Sequence, residues 1–373
     1  MLDFIHAVGR MVSEPWLDPR KRRENFLRAA EFKNPWWIPC RVGFSMATWS
    51  KYRERLENIV LSHSKIFPGF KRGSVKFDDF GVRRKGNVFV DEWGCVWHFC
   101  IDGMQGQVVK HPLEDWDMLE KLRVPDPDAG LPREGRQMVS WDLIEEEVRR
   151  AKERGDLVAV GLPHGFFFQR LYYLRGFANL LKDFVREDSR IWKLIDILTE
   201  YNVELVKRIL KLDVDLVGFG DDLGTQDRMP ISPTMFRKYI YPSYKRIFGL
   251  VREKGVHVRL HTDGHVMEVV DQLIEAGVTI LNIQDRVNGL ENIGAKCKGR
   301  VCIDLDIDRQ YLLPFSRPED IREHIRRVIL SLGSRKGGLM LVADVYPDVP
   351  LENIQSLCSA LEEFIQLHLS LNS

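Results

Sequence analysis

The stretch Val256-His257-Val258-Arg259-Leu260-His261-Thr262-Asp263-Gly264-His265 ends a β-branched and apolar run in His261, Asp263 and a glycine. A strand that delivers titratable groups at its C-terminal end is how α/β barrels build active sites. The same figure recurs along the chain. Leu216-Val217-Gly218-Phe219-Gly220 runs into Asp221 and Asp222, and Leu157–Leu162 is followed by His164. Later apolar runs deliver Gln284 and Asp285, then Asp304 and Asp306, then Asp344 and Tyr346. Two histidines, several carboxylates and a tyrosine around one mouth suit general acid–base work or a metal held by nitrogen and oxygen.

Each of these residues also has a structural reading. Asp221 and Asp222 could cap the turn that follows them, since Asp is a frequent turn and cap residue. His261 could be a satisfied core histidine, and His265 reads as the start of the next helix. His164 lies in Pro163-His164-Gly165-Phe166-Phe167-Phe168, which suits packing as well as it suits a ligand. That aromatic run, with Tyr172 and Tyr173 close behind, is either helix core or an apolar wall for a flat ligand. Cys40, Cys95, Cys100, Cys297, Cys302 and Cys358 form no C-x-x-C pair, so zinc-thiolate spacing is absent. Nor is there a G-x-x-x-x-G-K-[ST], a G-x-S-x-G or an H-E-x-x-H, and ATPase, serine-esterase and zincin chemistry lack support.

The elements that must position these residues alternate with few interruptions from residue 140 onward. Helices are expected over 141–155, 169–186, 189–212, 233–254, 266–276, 318–332 and 351–369. Strands are expected over 157–162, 215–219, 257–261, 279–283, 300–305 and 339–343. Ser232 and Pro233 mark one helix start. Such alternation indicates parallel βαβ units. With an early strand at 38–44 the count is seven, one short of a (β/α)₈ barrel. The eighth would lie within 60–110 or near 289–297. A doubly wound sheet is the alternative, disfavoured by the missing G-x-G-x-x-G and by polar groups at nearly every strand end. Residues 1–35 read as a helical N-terminal extension, and 70–135, with its short apolar runs and frequent glycines, as a β-hairpin-rich insertion. All of this belongs to a single domain over 1–373.

Bulk properties narrow the function classes. The chain has 373 residues, 44% hydrophobic and 29% charged, as in a soluble globular protein. A net charge of +1 provides no global field for nucleic acid or anionic membranes, and neither is an expected partner. Met1-Leu2-Asp3-Phe4-Ile5-His6 does not read as a secretory start, and scattered cysteines suit a reducing cytoplasm.

Taken together, several segments resemble the uroporphyrinogen decarboxylase superfamily. They are Leu174-Arg175-Gly176-Phe177-Ala178-Asn179 with the helix behind it, Asp221-Asp222-Leu223-Gly224-Thr225-Gln226, Ile231 to Lys245, Leu260-His261-Thr262-Asp263-Gly264, and Pro350-Leu351-Glu352-Asn353-Ile354. The likeness runs from about residue 85 to the C-terminus. It implies a distorted (β/α)₈ TIM barrel, with either porphyrinogen decarboxylation or methyl transfer to a corrinoid as the activity. The decarboxylases carry an Arg-Gln-Ala-Gly-Arg-like segment for substrate carboxylates, where this chain reads Arg41-Val42-Gly43-Phe44-Ser45-Met46. Asp91-Glu92-Trp93-Gly94 and Pro112-Leu113-Glu114-Asp115 look closer to the corrinoid-dependent, O-demethylase-like methyltransferases.

Those relatives commonly bind zinc through His-x-Cys and a later Cys. Here the matching positions are His261-Thr262-Asp263 and Ala343-Asp344, so both thiolates are replaced by carboxylates. The resemblance therefore implies zinc held by His261 with Asp222, Asp263 and Asp344. It makes Asp222, His261 and Asp263 the catalytic centre, and His164, Phe166, Phe167, Asp306 and Tyr346 the substrate contacts. The methyl donor would be a small molecule, such as a methoxylated aromatic held against the phenylalanine wall. The chain lacks a D-x-H-x-x-G corrinoid signature, so cobalamin would arrive on a separate corrinoid protein. A homodimer is compatible with this reading. A decarboxylase and a barrel that binds without turnover are the rival readings.

Overall fold

The computed structural model describes residues 14–133 and 138–371. The leader expectation at the N-terminus therefore lies outside the described residues. Seven parallel strands form the central sheet: β1 (Cys40–Phe44), β5 (Ala159–Gly161), β6 (Leu216–Gly220), β7 (His257–Thr262), β8 (Ile280–Gln284), β9 (Cys302–Asp306) and β10 (Leu339–Val345). Their order is β1-β10-β9-β8-β7-β6-β5, a curled TIM-barrel-like sheet wrapped in helices. The strands are short and rich in Val, Ile and Leu. β8 and β9 are buried at every position, as parallel strands with both faces covered must be.

Among the described residues no eighth parallel strand joins β5 to β1. Neither expected location supplies one. Residues 88–110 instead form a separate antiparallel sheet of β2 (Val88–Val90), β3 (Val96–His98) and β4 (Gln107–Lys110), and Leu290–Cys297 is helical. Short apolar runs punctuated by glycine close into hairpins locally, which is simpler than inserting one strand between distant partners. This small sheet lies within the expected insertion and presents Phe89 opposite Trp97 toward the barrel mouth.

Helix boundaries differ from the sequence reading where the backbone turns left-handed. The helix expected over 169–186 is two, Phe168–Arg175 and Phe177–Arg186, broken at Gly176 with φ +83°. The N-terminal helix Pro19–Ala30 begins where Asp18 accepts a hydrogen bond from the Arg20 amide. Its Ala29 and Ala30 pack with Leu216, Ile280, Cys302 and Met340, while Arg23 clamps Asp215 ahead of β6. The extension thus closes the N-terminal end of the sheet and leaves the C-terminal end open for chemistry. All six cysteines are free thiols. No helix among the described residues is long and apolar enough to cross a membrane.

Candidate active site

His164, Asp222 and His261 reach the barrel mouth from the ends of β5, β6 and β7. One ligand atom of each lies within 4.8 Å of the others. His164 Nε2 is 3.3 Å from Asp222 Oδ1, His261 Nε2 is 3.6 Å from the same oxygen, and the two imidazole centroids are 5.4 Å apart. Gly220 makes this approach feasible: a Cβ there would stand 2.7 Å from the His164 ring. At Gly264, φ is +83° and an added Cβ would lie 2.2 Å from Gly224, so the turn carrying Asp263 requires glycine.

Hydrogen bonds fix the orientation of each group. Asn282 Nδ2 donates to the Asp304 carbonyl at 2.6 Å, which turns Asn282 Oδ1 toward His261 Nδ1 at 2.7 Å. His261 Nδ1 therefore carries the hydrogen, and Nε2 directs its lone pair at the cluster. Gln169 holds Asp222 from two sides, donating through Nε2 to Oδ2 at 2.9 Å and accepting from the Asp222 amide at 2.9 Å. The Asp263 amide donates to Asp222 Oδ1 at 3.1 Å.

Electrostatics follow from this packing. Burial works against ionisation of Asp222, but the hydrogen bond from His164 and the charges of His164 and His261 outweigh it and hold its carboxyl at about 2. Burial dominates at His261 and lowers its pKa, favouring the neutral imidazole that can act as a ligand. At His164 burial also lowers the value, but Asp222 more than offsets it, and the net shift is upward. One free donor position at the cluster fits an ion: Asp263 Oδ1 is buried without a hydrogen-bond partner, 3.5 Å from His261 Nε2.

The neighbouring carboxylates divide between structural and mouth positions. Asp221 is fully buried and accepts from the amides of Phe168 at 2.5 Å and Gln169 at 2.7 Å, and from the Tyr244 hydroxyl at 2.8 Å. Burial pushes its pKa up to about 6, against the pull of those three donors. It is thus the cap of the helix after β5. Replacement by alanine strands three buried donors and is expected to cost about 3 kcal/mol of unfolding free energy in urea titration, with Asp221→Asn losing less. Asp304 pairs with Arg259 at 2.6 Å, and Asp285 pairs with His324 at 2.6 Å.

Two placements correct the sequence reading. Phe166 and Phe167 are buried in the core against Tyr244, with Phe166 also against Phe219 and Phe248, so they do not wall the mouth. Asp344 does not join the histidines. It lies 3.5 Å from Arg41 and 3.7 Å from Arg309. Arg309, which sequence reasoning passed over, is the hub of a second group. It contacts Asp263 Oδ2 at 2.5 Å and Asp306 Oδ2 at 3.2 Å, and lies over the Tyr346 ring at 5.6 Å. Asp306 and Tyr346 therefore face this arginine. A cation three residues after a strand-end aspartate was the signal available, but spacing in a loop does not say where the side chain points. Asn282 and Gln169 were missed for the same reason.

Beside His164 opens a cleft lined by Phe89, Trp97, Phe99, Asp91, Glu92 and Arg170 among others. The aromatic wall expected from helix residues is here supplied by the small antiparallel sheet and its flank. Buried Asp91 sets it in place, accepting from Trp97 Nε1 at 3.0 Å, from Arg170 at 2.6 Å, and from the amides of Trp93 and Cys95.

Comparison with known proteins agrees with this architecture. The family model described as uroporphyrinogen decarboxylase (URO-D) matches residues 91–364. The uroporphyrinogen decarboxylase of Carboxydothermus hydrogenoformans is 21% identical over 92% of this chain and 97% of its own length. The methylcobamide:CoM methyltransferase MtbA of Methanosarcina mazei is 21% identical over 79% of this chain and 80% of its own. A solved methyltransferase from Methanosarcina mazei superposes with a TM-score of 0.61 at 15% identity, covering 92% of this chain and 98% of that one, which shows a shared fold.

Proposed function

Given that the chain belongs to the uroporphyrinogen decarboxylase (URO-D) family, we propose that it is a methyltransferase. It takes a methyl group from a small methoxylated aromatic and passes it to a corrinoid carried by a separate protein, in the cytoplasm. The observation that carries this reading is the His164–Asp222–His261 cluster, a nitrogen and oxygen donor set opening onto an aromatic cleft. Zinc fits that set, with the unpartnered Asp263 Oδ1 as a further donor. When bound it would supply Lewis acidity toward the ether oxygen.

The chain's own residues do the rest. Phe89, Trp97 and Phe99 hold the ring and exclude water from one side of the cleft. Asn282 and Gln169 keep His261 and Asp222 aimed at the oxygen that leaves as the methyl C–O bond breaks. That bond's electron pair stays on the aryl oxygen, so neutralising this oxygen is the protein's main task. Arg309 keeps the Asp263 carboxylate in its orientation through Oδ2.

The family also contains decarboxylases, and the alternative is a carboxy-lyase. Its substrate, if a polycarboxylated tetrapyrrole, would need a set of arginines near β1. That region offers Arg41, already paired with Asp344. The test is direct: purified protein, cob(I)alamin on a carrier protein and a methoxyarene should together consume cob(I)alamin and release the phenol in equal amounts. Release of CO₂ from a tetrapyrrole without any corrinoid would overturn the proposal.

A further inference from the structure

Within the aromatic cleft, the charges decide which aromatic can enter. Arg170 is buried, with Asp91 at 2.6 Å and Glu92 at 3.8 Å, so one guanidinium faces two carboxylates. Arg133, at the opposite rim, is held by both oxygens of Glu147 at 3.2 and 2.6 Å. Asp91 spends its oxygens on Trp93, Cys95, Trp97 and Arg170, and has no role left toward a ligand. Glu92 differs. Its side chain lines the cleft at 21% exposure, and its nearest cationic contact is the long one to Arg170. Each arginine of the lining is thus spent on a short ion pair, Arg170 with Asp91 and Arg133 with Glu147, while Glu92 keeps only its long contact, on a wall of three aromatic side chains.

We infer that the cleft selects uncharged, hydroxylated aromatics, with Glu92 accepting the ring hydroxyl, and rejects aromatics that carry a carboxylate. This rests on the methyltransferase reading for the identity of the transferred group, but the charge selection is a property of the cleft itself. A carboxylate brought beside Glu92 would face repulsion in a partly desolvated site, where charges interact several times more strongly than in water. A neutral phenol gains a hydrogen bond there instead, to an acceptor whose geometry is already set. Burial raises the pKa of Glu92, and the neighbouring Asp91 charge adds to the rise, so a further negative charge beside them is disfavoured.

The experiment measures binding of two matched probes, ortho-methoxyphenol and ortho-methoxybenzoate, by calorimetry on the full chain without corrinoid. The phenol should bind at least about tenfold tighter than the benzoate, the ratio that a modest like-charge penalty produces. Glu92→Gln, isosteric and without the charge, should narrow that ratio severalfold, mainly by improving the benzoate. Phe89→Ala should weaken both probes alike, which confirms that the cleft is where they bind. Equal affinities in the unaltered protein, an unchanged ratio in Glu92→Gln, or no binding of either probe would overturn the inference. If the phenol binds preferentially but no methyl transfer follows, the methyltransferase reading fails and the charge selection stands. Transfer from both probes with equal efficiency sinks the selection alone.

Discussion

On the proposed methyltransferase reading, replacing His261 by alanine is expected to lower methyl transfer roughly 10³-fold and to abolish stoichiometric zinc binding. His261 is the member of the cluster whose donor nitrogen is most firmly oriented, because Asn282 takes its Nδ1 hydrogen and the Asp304 carbonyl in turn fixes the Asn282 amide. A Lewis-acid contact to a leaving oxygen is worth several kcal/mol, and each 1.4 kcal/mol or so is tenfold in rate. Stability should fall by about 1–3 kcal/mol, because the buried Asn282 Oδ1 loses its partner. The informative measurements are single-turnover transfer and metal content on the same preparation. A variant that keeps one zinc per chain and full transfer would remove His261 from the centre, whereas lost metal with retained transfer would assign the chemistry to acid–base groups alone.

The second large effect concerns Arg309. Arg309→Leu is expected to destabilise the fold by roughly 3–5 kcal/mol, because it leaves carboxylates buried without their cation. Most of this arises at Asp306, whose side chain is 2% exposed; Asp263 and Asp344, at 31% and 35%, keep part of their hydration. Neither Asp306 oxygen has a hydrogen-bond partner, and burial raises its pKa well above the ordinary carboxylate range despite Arg309.

The pH dependence follows from that direction. A carboxyl with a raised folded pKa holds its proton when the unfolded chain has lost it. Asp306 therefore favours the folded state below the ordinary carboxylate pKa, and this contribution falls as pH rises from there through the folded pKa. In Arg309→Leu the folded pKa should rise further, so the variant should be closest to the unaltered protein in mild acid and fall away above it. Urea unfolding across that range checks the slope. Adding Asp306→Asn to Arg309→Leu should recover much of the loss, a coupling measurable by a double-mutant cycle. A flat profile with no recovery would mean that Arg309 acts through packing rather than charge.

Much of this protein could be read from its residues in order. The seven parallel strands lie where apolar runs bounded by turn residues put them, because strand formation there depends on local pattern and burial on both faces. The convergence of His164, Asp222 and His261 at one mouth also followed, since parallel strands in a barrel-like sheet must deliver their C-terminal ends to one side. Family membership was legible in Asp221–Gln226 and Leu260–Gly264.

Direction and partnership were not legible. Asp221 and Asp222 are neighbours of the same type, yet one caps a buried helix and the other faces the mouth, and only the packed backbone tells them apart. Phe166 and Phe167 had the composition of a ligand wall, but the helix they start turns them into the core, and the wall comes from hairpins far away in sequence. Arg309 gathers Asp263, Asp306 and Asp344 from three different strand ends, an arrangement no spacing encodes. Sequence fixes which groups arrive at the mouth through short-range pattern. Which of them meet, and which cation stands between them, is set by long-range packing, and that was decided in the tertiary structure alone.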